Sequence, residues 1–176
     1  MKKSDFLELA LKRRSVRAYK PDPVPPEMLQ TLLEAGRWAP SAANKQPVRY
    51  IIVTEEDRRR ALGTAYARTW FWQAPVILAV CILPNEAWVR SFDGQNYAAV
   101  DGALAMGNIQ LAAAELGLGT CWIGAFDPAA VKQILNLPDG VEVVGLTPLG
   151  FPDVETHPRP RSRLPLNDLV MRERWQ

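Results

Sequence analysis

Histidine is almost missing from this chain: its 176 residues include one, His157, in a proline-rich stretch near the C-terminus. That argues against Ser-His-Asp or Cys-His catalysis and against metal sites built on paired histidines. Cysteine is nearly as scarce. Cys81 and Cys121 lie in apolar runs and match neither a CxxC motif nor zinc-site spacing, so both are expected as reduced, buried packing residues. An excess of one charge is lacking too. The 21 basic and 19 acidic residues leave a net +2, which gives no global footprint for nucleic acid. The apolar stretches are too short and too interrupted to cross a bilayer. Met1-Lys2-Lys3 begins like a signal peptide, but Asp5, Glu8, Lys12, Arg13 and Arg14 leave no clean apolar segment and no cleavage site. The expectation is a cytoplasmic protein with neither nucleic acid nor membrane as a partner.

What is present suits one globular domain over residues 1–176, with 48% apolar and 23% charged residues. Six tryptophans and four tyrosines suit a large core or a surface that stacks on a flat ligand. Ser4 is a good N-cap for a first helix with Phe6, Leu7, Ala10 and Leu11 on one face. Pro21, Pro23, Pro25 and Pro26 then break the chain. A second helix follows, with Met28, Leu29, Leu32 and Leu33 at core spacing and Gly36 near its end. Residues 38–47 read as a loop, 50–54 as a strand, 55–68 as a charged helix and 76–83 as a fully buried strand. The spacing predicts a long alanine-rich helix over about 97–116, with Val100, Leu104, Ile109, Leu111 and Ala112 inward. After it come a short strand at 120–123, a short helix capped by Asp127-Pro128, and a core strand at 143–149. Residues 151–176 turn to proline, arginine and polar types, which suits a tail covering a surface. The order lacks a regular βαβ alternation at its start, so the fold class is α+β, with one compact domain.

Gly117-Leu118-Gly119 hints at a dinucleotide loop, but it follows a helix and precedes a strand, the reverse of the Rossmann context. It reads as a helix C-cap, and no Walker A sequence occurs. A chain without these tools often takes its chemistry from an organic cofactor. Two segments are candidates to hold one. Arg13-Arg14-Ser15-Val16-Arg17 is either a solvated basic cap at a helix end or a phosphate cradle, since arginine grips phosphate bidentately and serine adds a directed donor. Residues 39–47, with Pro40, Ser41, Asn44 and Pro47, form either a plain loop satisfying its own backbone or a rigid loop offering polar groups to a heterocycle edge.

Taken in order, these two segments resemble the nitroreductase-like flavoprotein family, in which both contact FMN. The resemblance continues through Gly117-Leu118-Gly119-Thr120-Cys121-Trp122-Ile123-Gly124-Ala125-Phe126, where the family's turn lies against the flavin ring, and through Arg161-Ser162-Arg163-Leu164-Pro165 in the tail. It covers essentially the whole chain. The resemblance implies a central, mostly antiparallel sheet flanked by helices, and FMN held by Arg13, Arg14, Ser15, Arg17, Pro40, Ser41, Asn44, Ile123, Gly124, Ala125, Arg161 and Arg163. It also implies a homodimer with the tail embracing the partner. NAD(P)H would be the electron donor, and a nitroaromatic, quinone or similar small flat molecule the acceptor, in ping-pong order. No side chain is implied as catalytic, because the chemistry rests on the flavin. Two other readings stay open: a specialised branch, such as a dehalogenase or a flavin-fragmenting enzyme, and a flavin-binding protein without turnover. Residues 84–95 are short where longer family members carry a helical insertion beside the substrate, and the polar flavin contact often found between the first two strands has no clear match.

Overall fold

The computed structural model describes residues 5–153 and 161–175. Ser4, expected to cap the first helix, lies outside them. The elements run α1 (Asp5–Lys12), α2 (Pro26–Arg37), β1 (Val48–Val53), α3 (Glu56–Ala65), α4 (Thr69–Gln73), β2 (Val76–Ile82), α5 (Ala98–Glu115), β3 (Gly119–Thr120), α6 (Pro128–Ile134), β4 (Glu142–Gly150) and α7 (Leu166–Leu169). The strands form one antiparallel sheet in the order β1-β2-β4-β3, so β1 and β3 are its two edges. This is the α+β architecture expected.

The core divides across that sheet. On one face, Leu32 of α2 and Ile109 and Ala113 of α5 cluster with Val76, Leu78 and Leu149. On the other, Leu62, Phe71 and Val131 cluster with Ile77, Ala79, Cys81 and Leu146. Successive strand side chains point to opposite faces, so β2 feeds both clusters and every one of its residues is buried. That is why 76–83 is an unbroken apolar run. Each large side chain fully buried in this way stabilises the fold by about 1.5–3 kcal/mol. Cys81 and Cys121 are buried and free, as expected.

Two turns follow directly from sequence chemistry. Asp127 caps α6, its carboxylate accepting from the amides of Ala129 (2.9 Å) and Ala130 (3.2 Å), with Pro128 at the first helical position. Gly117 ends α5 at φ +77°, while the Leu118 amide donates to Ala113 O at 2.8 Å. The glycine stretch is therefore a helix terminus, with the left-handed residue such a terminus requires.

Several expectations need correction. The 55–68 helix stops at Ala65, because Tyr66 is extended, and a separate short α4 follows. The expected strand at 120–123 reduces to Gly119–Thr120 plus a single bridge from Ile123 to Leu146. In α5, Ile109 is buried and Leu111 and Ala112 are half-buried, but Val100 and Leu104 are exposed. Asp101 and Gln110 are buried instead. Small residues let the helix approach the strands, Gly102 lying against Ile82 and Val144, while Met106 and Ile109 supply its large buried side chains. The α1 face fails the same way: Phe6, Leu7 and Leu11 are exposed, and α1 has no buried residue.

Candidate functional site

The first site segment follows α1. Its backbone runs beside the β3 edge: Ser15 forms a parallel bridge with Thr120, and the Val16 amide donates to Thr120 O at 2.8 Å. The Tyr19 hydroxyl donates to Val16 O at 2.7 Å. Beyond it, the Lys20 amide donates to Phe151 O and the Asp153 amide to Ala18 O, so residues 13–20 are fixed at both ends. Gly119 is required at this crossing, since a Cβ there would lie 2.8 Å from Val16.

Arg13 is half-buried, and Arg14, Ser15 and Arg17 are exposed along this segment. Among the described residues, the ion pairs engage none of these arginines, nor Arg161 or Arg163. Arg17 instead lies over the Trp70 ring, 6.0 Å from its centroid. The floor beneath them is Cys121, whose thiol is pushed up by burial and partly drawn back by Arg17, the Ser15 hydroxyl and Arg13. Tyr19 is likewise raised well above its ordinary value, by burial first and then by Cys121, against Arg17. The segment is thus a row of cations on a rigid, desolvated base, suited to a dianion.

The tail meets this row. Arg161 donates to the carbonyls of Arg13 (2.5 Å) and Leu11, at the carboxyl end of α1. Arg163 donates to Ser162 O at 2.7 Å and is exposed. Farther along the β3 edge, Ile123 is buried and exchanges backbone hydrogen bonds with Leu146 at 2.8 and 3.0 Å. Gly124 and Ala125 then emerge exposed, and a Cβ at Gly124 would meet nothing nearer than Trp122 Nε1 at 3.9 Å. A flat group could lie against this backbone without displacing a side chain.

The second segment lies elsewhere. Residues 40–47 lead directly into β1, the opposite edge of the sheet. Ala43, Asn44 and Gln46 all have left-handed φ (49°, 55° and 52°), a conformation costing roughly 1–2 kcal/mol per ordinary residue. Internal bonds offset part of this strain: the Gln46 amide donates to Ser41 Oγ at 3.0 Å, and Gln46 Nε2 to Asn44 O and Oδ1. Pro40 and Asn44 are exposed and Ser41 is half-buried. The structure therefore assembles Arg13, Arg14, Ser15, Arg17, Ile123, Gly124, Ala125 and Arg161 along one sheet edge, and leaves Pro40, Ser41 and Asn44 at the other.

Sequence reasoning missed two contributors. Tyr19 is a strut under the cationic segment, and Asp101, 2% exposed, reaches the 40–47 loop by accepting from the Ala42 amide at 2.9 Å. The available signal for Asp101 was a lone carboxylate in the apolar first turns of α5. No helix among the described residues is long and apolar enough to cross a membrane.

Comparison with known proteins identifies the family and the fold. A sequence model of the nitroreductase family matches residues 10–70 and 63–151. An NADH dehydrogenase of Thermus thermophilus is 34% identical, the match covering 95% of each chain. An FMN reductase [NAD(P)H] of Bacillus subtilis is 33% identical over 84% of this chain and 66% of its own. The crystal structure of a nitroreductase family protein from Clostridium difficile 630 superposes with a TM-score of 0.89 at 30% identity, over 98% of this chain and 100% of that one. A shared fold, near-complete coverage and identity at this level establish that the chain belongs to the nitroreductase family.

Proposed function

We propose that the protein is an FMN-dependent oxidoreductase that takes electrons from NAD(P)H and passes them, in ping-pong order, to a nitroaromatic, quinone or similar flat acceptor. The observation that carries this reading is the cationic row from Arg13 to Arg17 beside the open backbone at Gly124 and Ala125. The donor chemistry fits the cofactor. Arg13, Arg14, Ser15 and Arg17, with Arg163 from the tail, would hold a terminal phosphate, and the exposed 124–125 backbone would take the flat ring. When bound, FMN supplies the hydride-accepting and hydride-donating chemistry that this chain's side chains lack. The chain's own work is to orient and to polarise. Surplus arginine charge beyond the two phosphate charges stabilises negative charge at the site. Arg161 caps α1 and so holds the Arg13 carbonyl and its side chain in register.

The reading includes a homodimer. Its support is the apolar surface left uncovered within one chain: Phe6 and Leu11 of α1, Val100 and Leu104 of α5, and Leu166 and Trp175 of the tail. The described tail, residues 161–175, is exposed throughout, which favours a partner subunit over its own domain as the surface it covers.

The deciding experiment starts from purified protein. It should be yellow, release FMN rather than FAD on heating, bleach anaerobically with NADH or NADPH, and regain colour on adding a quinone or nitroaromatic. Protein that remains colourless after incubation with FMN would remove the central claim. Yellow protein inert to both nicotinamides would favour a binding protein or a branch with another donor.

A further inference from the structure

Asp101 is an unusual residue for its place. It lies in the first turns of α5, is only 2% exposed, and its Oδ2 is buried without a hydrogen-bond partner among the described residues. Burying a carboxyl group is costly unless its oxygens are hydrogen-bonded. Its other oxygen, Oδ1, accepts from the Ala42 amide at 2.9 Å, across 59 positions of sequence. Asp101 also lines a cavity of about 150 Å³ behind the loop, together with Ser41, Gln46, Arg49 and Tyr50.

The loop held there is strained, and it is tied to the domain at its carboxyl end, where Arg49 Nη1 donates to Gln46 O at 3.1 Å and the Leu83 amide to Pro47 O at 2.9 Å. Three of its residues, Ala43, Asn44 and Gln46, occupy left-handed backbone, and the side-chain bonds of Ser41, Asn44 and Gln46 close within residues 41–46. Such bonds shape a loop without anchoring it to the domain. The bond from Asp101 anchors the loop's other half, at Ala42, because α5 is packed into the core at Ala105, Met106 and Ile109. We propose that Asp101 is a positioning residue: through the Ala42 amide it fixes the strained 40–47 loop against α5 in the form that meets the flavin. This rests on the flavin reading above. It predicts that the loop acts on the ring system rather than on the phosphate, which lies with the arginines at the other sheet edge.

Three variants of the full-length protein test it: Asp101→Ala, Asp101→Asn and Ala42→Pro. The asparagine retains an acceptor for the Ala42 amide. The proline deletes only the donor, since it falls at the first position of a helical turn and Ser41 before it is already extended (φ −134°, ψ 151°). Hydrogen exchange of the Asn44 and Gln46 amides, compared with that of Val80 in β2, reads the loop directly. Titration with FMN and with riboflavin reads its effect.

In Asp101→Ala and Ala42→Pro, exchange at Asn44 and Gln46 should rise about tenfold or more while Val80 stays unchanged. Affinity for FMN and for riboflavin should fall by the same factor, again about tenfold. Asp101→Asn should restore both. Unchanged loop exchange in Asp101→Ala, exchange raised equally at Val80, a loss confined to FMN, or an asparagine variant as impaired as the alanine one would each overturn the proposal. Should Asp101→Ala fail to fold, Ala42→Pro carries the same comparison. If the unmodified protein binds neither flavin, the functional reading fails, while the exchange arm still decides whether Asp101 holds the loop.

Discussion

The sharpest consequence of the fold concerns which chain builds which half of a site. The 40–47 loop enters β1 and the 13–17 segment is bridged to β3, the opposite edges of a four-stranded sheet. From β1 to the segment beyond β3 there are four inter-strand gaps, and at about 4.8 Å each they put the two ~19 Å apart across the sheet. They are also offset along α5. The loop is tied to Asp101, whereas β3 pairs with the end of β4, whose Leu149 shares a cluster with Ala113. The rise from Asp101 to Ala113 adds ~18 Å in the perpendicular direction. The two halves in one chain are therefore separated by roughly 20 Å or more. One cofactor contacted by both is most simply supplied by two chains related by a two-fold axis, the loop of one facing the arginines of the other.

The perturbation is a pair of variants, each crippling one half. Asn44→Val places a β-branched residue at φ +55°, where its side chain is disfavoured. Arg13→Glu sets a negative charge where the phosphate charge is expected. Each variant alone should bind almost no FMN. When the two are co-refolded in equal amounts, half the dimers are mixed, and each mixed dimer has one site with both halves intact. Bound flavin should recover to about a quarter of the unmodified level, read by absorbance after gel filtration. If mass spectrometry shows mixed dimers yet no flavin returns, each site is built within a single chain and the geometric reasoning is refuted. A monomer on gel filtration would refute it earlier.

Two further outcomes follow from the same structure. Arg13→Ala should weaken FMN binding by about 1.5 kcal/mol, the low end for a charged hydrogen bond because Arg13 is only half-buried, and should leave riboflavin binding almost unchanged; equal losses in calorimetry would move Arg13 away from the phosphate. Burial pushes the Cys81 thiol from 9.0 up to about 11, so well below pH 9 it is neutral whether the chain is folded or not. Above that, the unfolded chain ionises first, and stability should decline as pH rises from about 9 to about 11. Cys81→Ala should flatten this decline in urea titrations, and an identical slope in the variant would assign the alkaline sensitivity elsewhere.

The sequence by itself determined those features that depend on a few neighbouring residues. Asp127-Pro128 specified the start of α6, Gly117 the end of α5, and the unbroken run from Val76 the doubly buried β2. The family was equally legible, because its motifs recur in order along the chain and are matched by residue identity rather than by tertiary contact. The facing of α1 and α5 was not legible from periodicity. An apolar stripe such as Phe6, Leu7 and Leu11, or Val100 and Leu104, reads the same whether it faces a core or a surface left for another partner. Only the packed helix showed which face meets the sheet, burying Asp101 with Met106 and Ile109 and leaving Val100 and Leu104 outward. Only the tertiary structure placed the 40–47 loop and the arginine row on opposite edges, since strand order β1-β2-β4-β3 is set by long-range pairing that no local pattern encodes.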